Sequence, residues 1–217
     1  MACNCPLATA QTTITPTTCE FNINQIHRVW EVRAGNVIWD ISTPANNLPA
    51  ALVGLAPEDI AGWTALKTDA TSAKVLFLPL FGGEPLITPG EEITFGGGGN
   101  DTLNGKTQHI GFSPSEFSAR YDGLEAQQES DIDEIVCEGD DVEVYFVLYD
   151  GTILGSLDAA TSNIFTGIDV ESALVLLGRN VAGFSAKDSN VFKFQMNKDW
   201  SKTMHKITPT FSALTGI

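Results

Sequence analysis

Positive charge is scarce in this chain, and its scarcity is the first constraint on function. Lys and Arg number 12 against 27 Asp and Glu, a formal net charge of −15. Affinity for duplex DNA rests largely on cations that neutralise phosphates, so the composition disfavours nucleic-acid binding as the main task and predicts a surface that repels DNA. Long apolar runs are missing as well. The longest, such as 75–81 and 142–149, fall far short of the ~20 residues that a membrane-spanning helix requires. No Lys or Arg precedes Arg28 and no apolar stretch of signal-peptide length opens the chain, which points to cytoplasmic synthesis without signal-directed export. The four cysteines, Cys3, Cys5, Cys19 and Cys137, are too few and too unevenly spread for the disulfide framework of a small secreted domain. Cys3-x-Cys5 with Cys19 offers three thiolates at most, whereas structural zinc sites add a second Cys pair or spaced histidines. Reduced thiols and no metal site are therefore expected.

What charge there is lies unevenly along the chain. Between Tyr121 and Gly178 no Lys or Arg occurs, while about half of all the acids fall there. From Arg179 onward the sign reverses: Arg179, Lys187, Lys193, Lys198, Lys202 and Lys206 face only Asp188 and Asp199. Such runs are commonly just solvated faces that keep a protein in solution. They also suit head-to-tail association, in which the basic surface of one subunit meets the acidic surface of the next.

The pattern of apolar residues predicts a mainly β protein, an antiparallel β-sandwich or barrel with one or two short helices and long loops. Residues 1–20, rich in Thr, Ala, Asn and Pro, read as a flexible N-terminal arm, and 21–217 as a single β-sandwich or barrel domain. A hairpin is expected from 26–32 and 36–41 across Gly35-Asn36. A short helix is expected near 57–66, with Pro57 in its first turn and Trp63 as anchor. Lys74 to Phe81 reads as a buried strand, with Pro79 marking an edge or a bulge near its end. Glu91 to Phe95 and Lys106 to Phe112 flank the glycine-rich segment Gly96 to Gly105, predicting a hairpin with a long tip. Phe117 to Tyr121 alternates as a strand, and 122–141 reads as an acidic loop or short solvated helix. Val142 to Tyr149 alternates most cleanly, and Asp150-Gly151 turns it back into Thr152 to Leu157. Ile168 to Leu177 reads as a helical turn or the approach to a strand. Asn190 to Met196 is expected to pair with Trp200 to Ile207.

No constellation of residues carries legible catalysis. Gly96-Gly97-Gly98-Gly99-Asn100-Asp101-Thr102-Leu103-Asn104 fits the calcium-binding nonapeptide of β-roll toxins, but that motif works in stacked copies and occurs once here. A lone loop supplies too few oxygens for the six to eight that calcium favours, and a glycine-rich hairpin tip explains the glycines equally well. Gly183-Phe184-Ser185-Ala186-Lys187 lacks the final glycine of a nucleophile elbow. His27, His109 and His205 stand apart in sequence and select no triad. Among 27 acids a carboxylate pair for glycoside hydrolysis is uninformative, and neither a P-loop nor a dinucleotide fingerprint is present. The chain is therefore expected to be no enzyme, with no catalytic residue, no bound cofactor and no metal.

The order of features, an irregular arm, β hairpins, the long loop Gly96 to Gly105, the Val142 to Leu157 hairpin, Asp169 to Leu177 and a closing β segment Asn190 to Phe211, resembles that of bacteriophage major tail proteins, the tail tube subunits of long-tailed phages. The resemblance implies a structural protein of the virion that self-associates into rings, usually hexameric. These stack into a tube, contact other virion tail proteins, and let DNA pass an acidic lumen without specific binding. Its location would be the tail, after synthesis in the host cytoplasm. The cysteines at 3 and 5 have no counterpart in that pattern. Two other readings fit the composition: a capsid decoration or head-completion protein, separated by ring formation, and a β-sandwich carbohydrate-binding module or enzyme. In the latter Trp30, Trp39, Trp63 and Trp200 would be exposed sugar-stacking platforms.

Overall fold

The computed structural model describes residues 23, 25–71, 73–97, 106–137, 141–158, 163–172, 174–181, 183 and 187–215. In chain order the strands are β1 (Ile26–Arg33), β2 (Trp39–Asp40), β3 (Leu76–Phe77), β4 (Leu86–Thr88), β5 (Glu92–Phe95), β6 (Gln108–Phe112), β7 (Ser115–Asp122), β8 (Val142–Leu148), β9 (Ile153–Leu157), β10 (Ile164–Thr166), β11 (Ile168–Asp169), β12 (Val175–Leu176), β13 (Ser189–Met196) and β14 (Met204–Ile207). Two α-helices join them, α1 (Ile60–Thr68) and α2 (Ala126–Cys137). The large sheet runs β2-β10-β9-β8-β1-β3, with β11 added to β8 and β14 to β9; a four-stranded sheet runs β12-β13-β7-β4, and β5 and β6 form a separate ribbon.

All pairings between these strands are antiparallel, as the alternating pattern predicts. The architecture nevertheless differs from the expected sandwich or barrel. It is a mixed α/β arrangement: a curled six-strand path that does not close, two smaller sheets and two helices. Its terminal strands β2 and β3 are two residues long and pair only inward, with β10 and β1. The expected arm, 1–20, lies outside the described residues.

The reason for this arrangement lies in β8, every residue of which is buried. Val142, Val144, Phe146 and Leu148 enter a core completed by Phe117 of β7, Phe192 and Phe194 of β13 and Ile132 of α2. Phe117 stacks on Phe194 at 4.7 Å and lies 5.3 Å from Phe146. Tyr145 and Val147 enter a second core on the opposite face, with Trp30, Trp39, Trp63 and Leu66. There α1 supplies the cover. Trp63 sits within 5.2 Å of Trp30, Trp39 and Tyr145, and its Nε1–H donates to the Pro57 carbonyl at 2.7 Å. The expected helix and its anchor are present, starting later than predicted because Pro57 and Glu58 belong to the turn that accepts this bond.

Local features of the sequence hold. β8 turns into β9 through Asp150-Gly151, where Gly151 takes a φ of +80° and the Asp150 carboxylate accepts from the N–H and hydroxyl of Thr152. The β5–β6 hairpin forms as predicted, and the 122–141 segment contains the solvated acidic helix α2, whose Asp131, Asp133 and Glu134 are exposed. The 168–177 segment gives strands β11 and β12. Lys74 to Phe81 contributes only the two residues of β3, at the sheet's edge.

Two expected hairpins do not form. β1 pairs with β8 and β3, while β2 pairs with β10, because the turn at Gly35 is drawn toward β8: its N–H donates to Glu143 Oε1 at 3.0 Å. The strands 190–196 and 204–207 also part company. β13 joins β7, β14 joins β9, and a 3₁₀ turn at Trp200–Lys202 carries the chain from one sheet to the other.

Phe146→Ala removes a fully buried ring that contacts aromatics from β7 and β13. It is expected to cost about 3–5 kcal/mol in urea unfolding, as large-to-small core changes do; a loss below about 1 kcal/mol would place Phe146 outside the core.

Candidate interaction surface

Among the strands, β5 and β6 are the least covered by the rest of the described chain. Both strands belong to neither larger sheet, and Ile93, Phe95, Ile110 and Phe112 are exposed by 46, 53, 58 and 50%. Register assigns these side chains to faces. Glu92 pairs with Phe112 and Thr94 with His109, while a bulge between Ile93 and Thr94 leaves Ile110 as the extra residue of β6. Strand parity therefore groups Glu92, Thr94, His109 and Phe112, consistent with the 2.9 Å contact of His109 Nδ1 with Glu92 Oε1 and the 4.9 Å ring contact of His109 with Phe112. Ile93 and Phe95 lie on the opposite face. Exposed apolar groups gathered this way mark interaction sites more than solitary surface hydrophobics do.

The ribbon is held firmly at its root. It prolongs the β4–β7 pair of the four-stranded sheet, and the Ser113 N–H donates to the Glu91 carbonyl at 2.9 Å while the Glu91 N–H donates to Ser113 Oγ at 2.8 Å. Gly90 packs so tightly against the Ser113 carbonyl that a Cβ there would collide with it.

Beside this root lies a mostly apolar groove of about 460 Å³, walled by Ile23, Ile26, Pro85, Ile87 and Trp200, with Lys198 at its edge. The neighbouring cleft on the other side of Trp200, about 250 Å³, carries Asp169, Asn197 and Asp199. A third, about 670 Å³, lies between α2 and the β1–β3 edge and mixes Glu31, Arg33, Lys74, Asp131 and Glu134.

The predicted charge polarity is partly satisfied within the chain. Arg179 contacts Glu129 of α2 at 3.0 Å and donates to the Leu124 carbonyl; Lys193 meets Glu116 at 3.0 Å and Lys202 meets Asp199 at 2.7 Å. Of the residues weighed for chemistry, His27 packs on Tyr149, His109 on Phe112 and His205 on Phe165, on strands no two of which pair. Asn100, Asp101 and the rest of 98–105 lie outside the described residues, as do Cys3, Cys5, Cys19 and 184–186. Among the described residues no group of three or more His, Cys, Asp or Glu is placed to hold a metal ion. Trp30, Trp39 and Trp63 are wholly buried, and only Trp200 is partly open, which removes three of the four proposed sugar platforms.

Sequence reasoning missed the most unusual carboxyl. Glu143 is buried in β8, where Oε1 accepts from the Gly35 N–H and Oε2 from the Gly167 N–H, both at 3.0 Å. Gly167 is required there, since a Cβ would fall 2.6 Å from that of Glu143. Burial pushes the Glu143 carboxyl up to about 7; Asp169, its cross-strand neighbour, adds to the rise while the two N–H donors oppose it. The clue in the sequence is an acid inside an otherwise apolar strand. Arg28 was equally silent: its guanidinium donates to the carbonyls of Leu78, Phe77 and Leu214, binding β1 to the β3 region and to the C-terminal segment.

Because the folded value of Glu143 lies above the unfolded one, the folded state holds the proton more tightly. The associated stability is complete below the unfolded value near 4.5 and is lost as pH rises through about 7, at most about 3 kcal/mol at 1.36 kcal/mol per unit. Urea midpoints of wild type should therefore fall between pH 5 and 8 relative to those of Glu143→Gln, which cannot ionise. Parallel profiles for the two proteins would show that Glu143 does not titrate in that window.

Comparison with protein-family models, curated proteins and solved structures returns no match for this chain, so a reading of its function rests on its own residues.

Proposed function

We propose that this chain is a structural subunit of a bacteriophage virion, a tail tube protein that assembles into stacked rings. The observation that carries this reading is the ribbon β5–β6, hydrogen-bonded at its root, whose large apolar side chains are only about half covered within the described chain. A two-stranded ribbon is marginally stable by itself in water, and one that keeps four large apolar residues half exposed is suited to burial against another chain. Apolar contact there would supply affinity, while charge would orient the subunits and exclude wrong partners. The exposed acids of α2, Asp131, Asp133 and Glu134, suit a lumen or a facing neighbour. Phosphates would slide past an acidic lining without sticking. On this reading the partners are other copies, in rings for which six is the number the resemblance implies, together with other tail proteins. The protein works in the virion tail after synthesis in the host cytoplasm, and it needs no cofactor.

Electron microscopy with sedimentation tests the reading directly. Purified protein is expected to form rings or short tubes as concentration rises, and to show no retention of duplex DNA at physiological salt. A chain that stays monomeric across concentration, salt and added virion partners would sink the tube reading in favour of a decoration protein or binding module.

A further inference from the structure

We infer that the Ile93–Phe95 face of the β5–β6 ribbon docks into the apolar groove beside Trp200 of a second copy of this chain, making a head-to-tail contact. The inference rests on the reading of the chain as a self-assembling subunit and names the two surfaces that would meet.

A ridge and a hollow of like character occur on one molecule. The ridge is Ile93 and Phe95, which share one face of the ribbon. The hollow is walled by Ile23, Ile26, Pro85, Ile87 and Trp200. At about 460 Å³ it falls among clefts that enclose whole small ligands, room enough for a few large side chains. One of its walls is firm: Trp200 packs edge-on against Phe146 of the core.

The ridge does not fill the hollow of its own chain. Pro89 lines the groove, the reciprocal Glu91–Ser113 bonds fix the ribbon's root beside it, and Ile93 and Phe95 remain about half exposed. Another copy presents the same ridge without that tether. Charge favours the match as well. Among the described residues the charged side chain lining the groove is Lys198, and the exposed Glu91 shares the strand face of Ile93 and Phe95. Because ridge and hollow are different patches, the contact is heterologous: each copy gives one and receives one, and repetition yields a ring if the rotation closes and a filament if it does not.

Two experiments together decide the matter. In the first, Phe95 is replaced by photoreactive benzoylphenylalanine in a mixture of isotopically light and heavy chains. Crosslinks from position 95 of one isotope to peptides holding Pro85 or Trp200 of the other are expected. Crosslinks confined to one chain, or directed to surfaces away from the groove, would overturn the inference, the first outcome being what own-chain docking would give. In the second, Phe95→Asp places a charge on the ridge and Ser201→Arg crowds the hollow, both at exposed positions. Each alone should raise the concentration for half-assembly at least ~10-fold, the equivalent of 1.4 kcal/mol per contact, with unchanged circular dichroism. Mixed together they retain one intact contact per pair, so sedimentation should show two-chain complexes and nothing longer. Wild-type rings in the micrographs combined with undiminished assembly of Phe95→Asp would refute this contact while leaving the tube reading standing; absence of rings in wild type would remove both.

Discussion

A strand buried on both faces must satisfy its backbone in ladders on either side and its side chains in two cores at once, and β8 meets all of these demands. Its register with β1 runs from Ile26 opposite Leu148 to Arg33 opposite Val142, its other flank carries β9 and β11, and its alternating side chains divide between the aromatic cluster around Phe117 and the one around Trp63. From that requirement follow the four-stranded sheet, which exists to cover one face, and α1 with the C-terminal segment, which cover the other. The buried Glu143 follows too. It occupies a place where the end of β8 must hold two neighbouring turns, and its two oxygens do so through the N–H groups of Gly35 and Gly167.

What could be read from the sequence divides along the range of the interaction. The β8–β9 hairpin was legible because alternation and an Asp-Gly turn sit within a few residues of each other. The β5–β6 hairpin was legible from the glycine-rich stretch that its two segments flank, and the helix anchored by Trp63 from Pro57 and the acids beside it. Alternation in β8 was read correctly, but periodicity shows only that two faces differ. It does not show that α1, far earlier in the chain, would cover the second one. Strand partners were the main failure. Nothing local says that β2 seeks β10 rather than β1, or that a 3₁₀ turn at Trp200 sends β14 to the large sheet. Closure of a sheet is likewise a global property, and here the path ends in the two-residue strands β2 and β3.

The surface proposed for assembly was legible only in outline. The sequence offered a hairpin with a glycine-rich tip, and its apolar residues looked like ordinary strand content. Exposure made the difference, since the same Ile and Phe residues would be unremarkable in a covered strand. Charge behaved in the opposite way. The polarity between the acidic 122–178 stretch and the basic C-terminal part was plain in sequence, yet Arg179 reaches back to α2 and Lys193 to β7, so folding consumes part of the charge that sequence offers to a neighbour.

The joint at Gly90 and Ser113 has one more consequence. A ribbon rooted by reciprocal backbone and side-chain bonds, with no space for a Cβ at Gly90, leaves the sheet at a set angle and behaves as a bracket rather than a tether. In any assembly that joins through such a bracket, the inclination of one subunit to the next is written into a few atoms at its base. The curvature of the whole, and with it the number of copies that complete a turn, would then be decided inside a single chain before two chains ever meet.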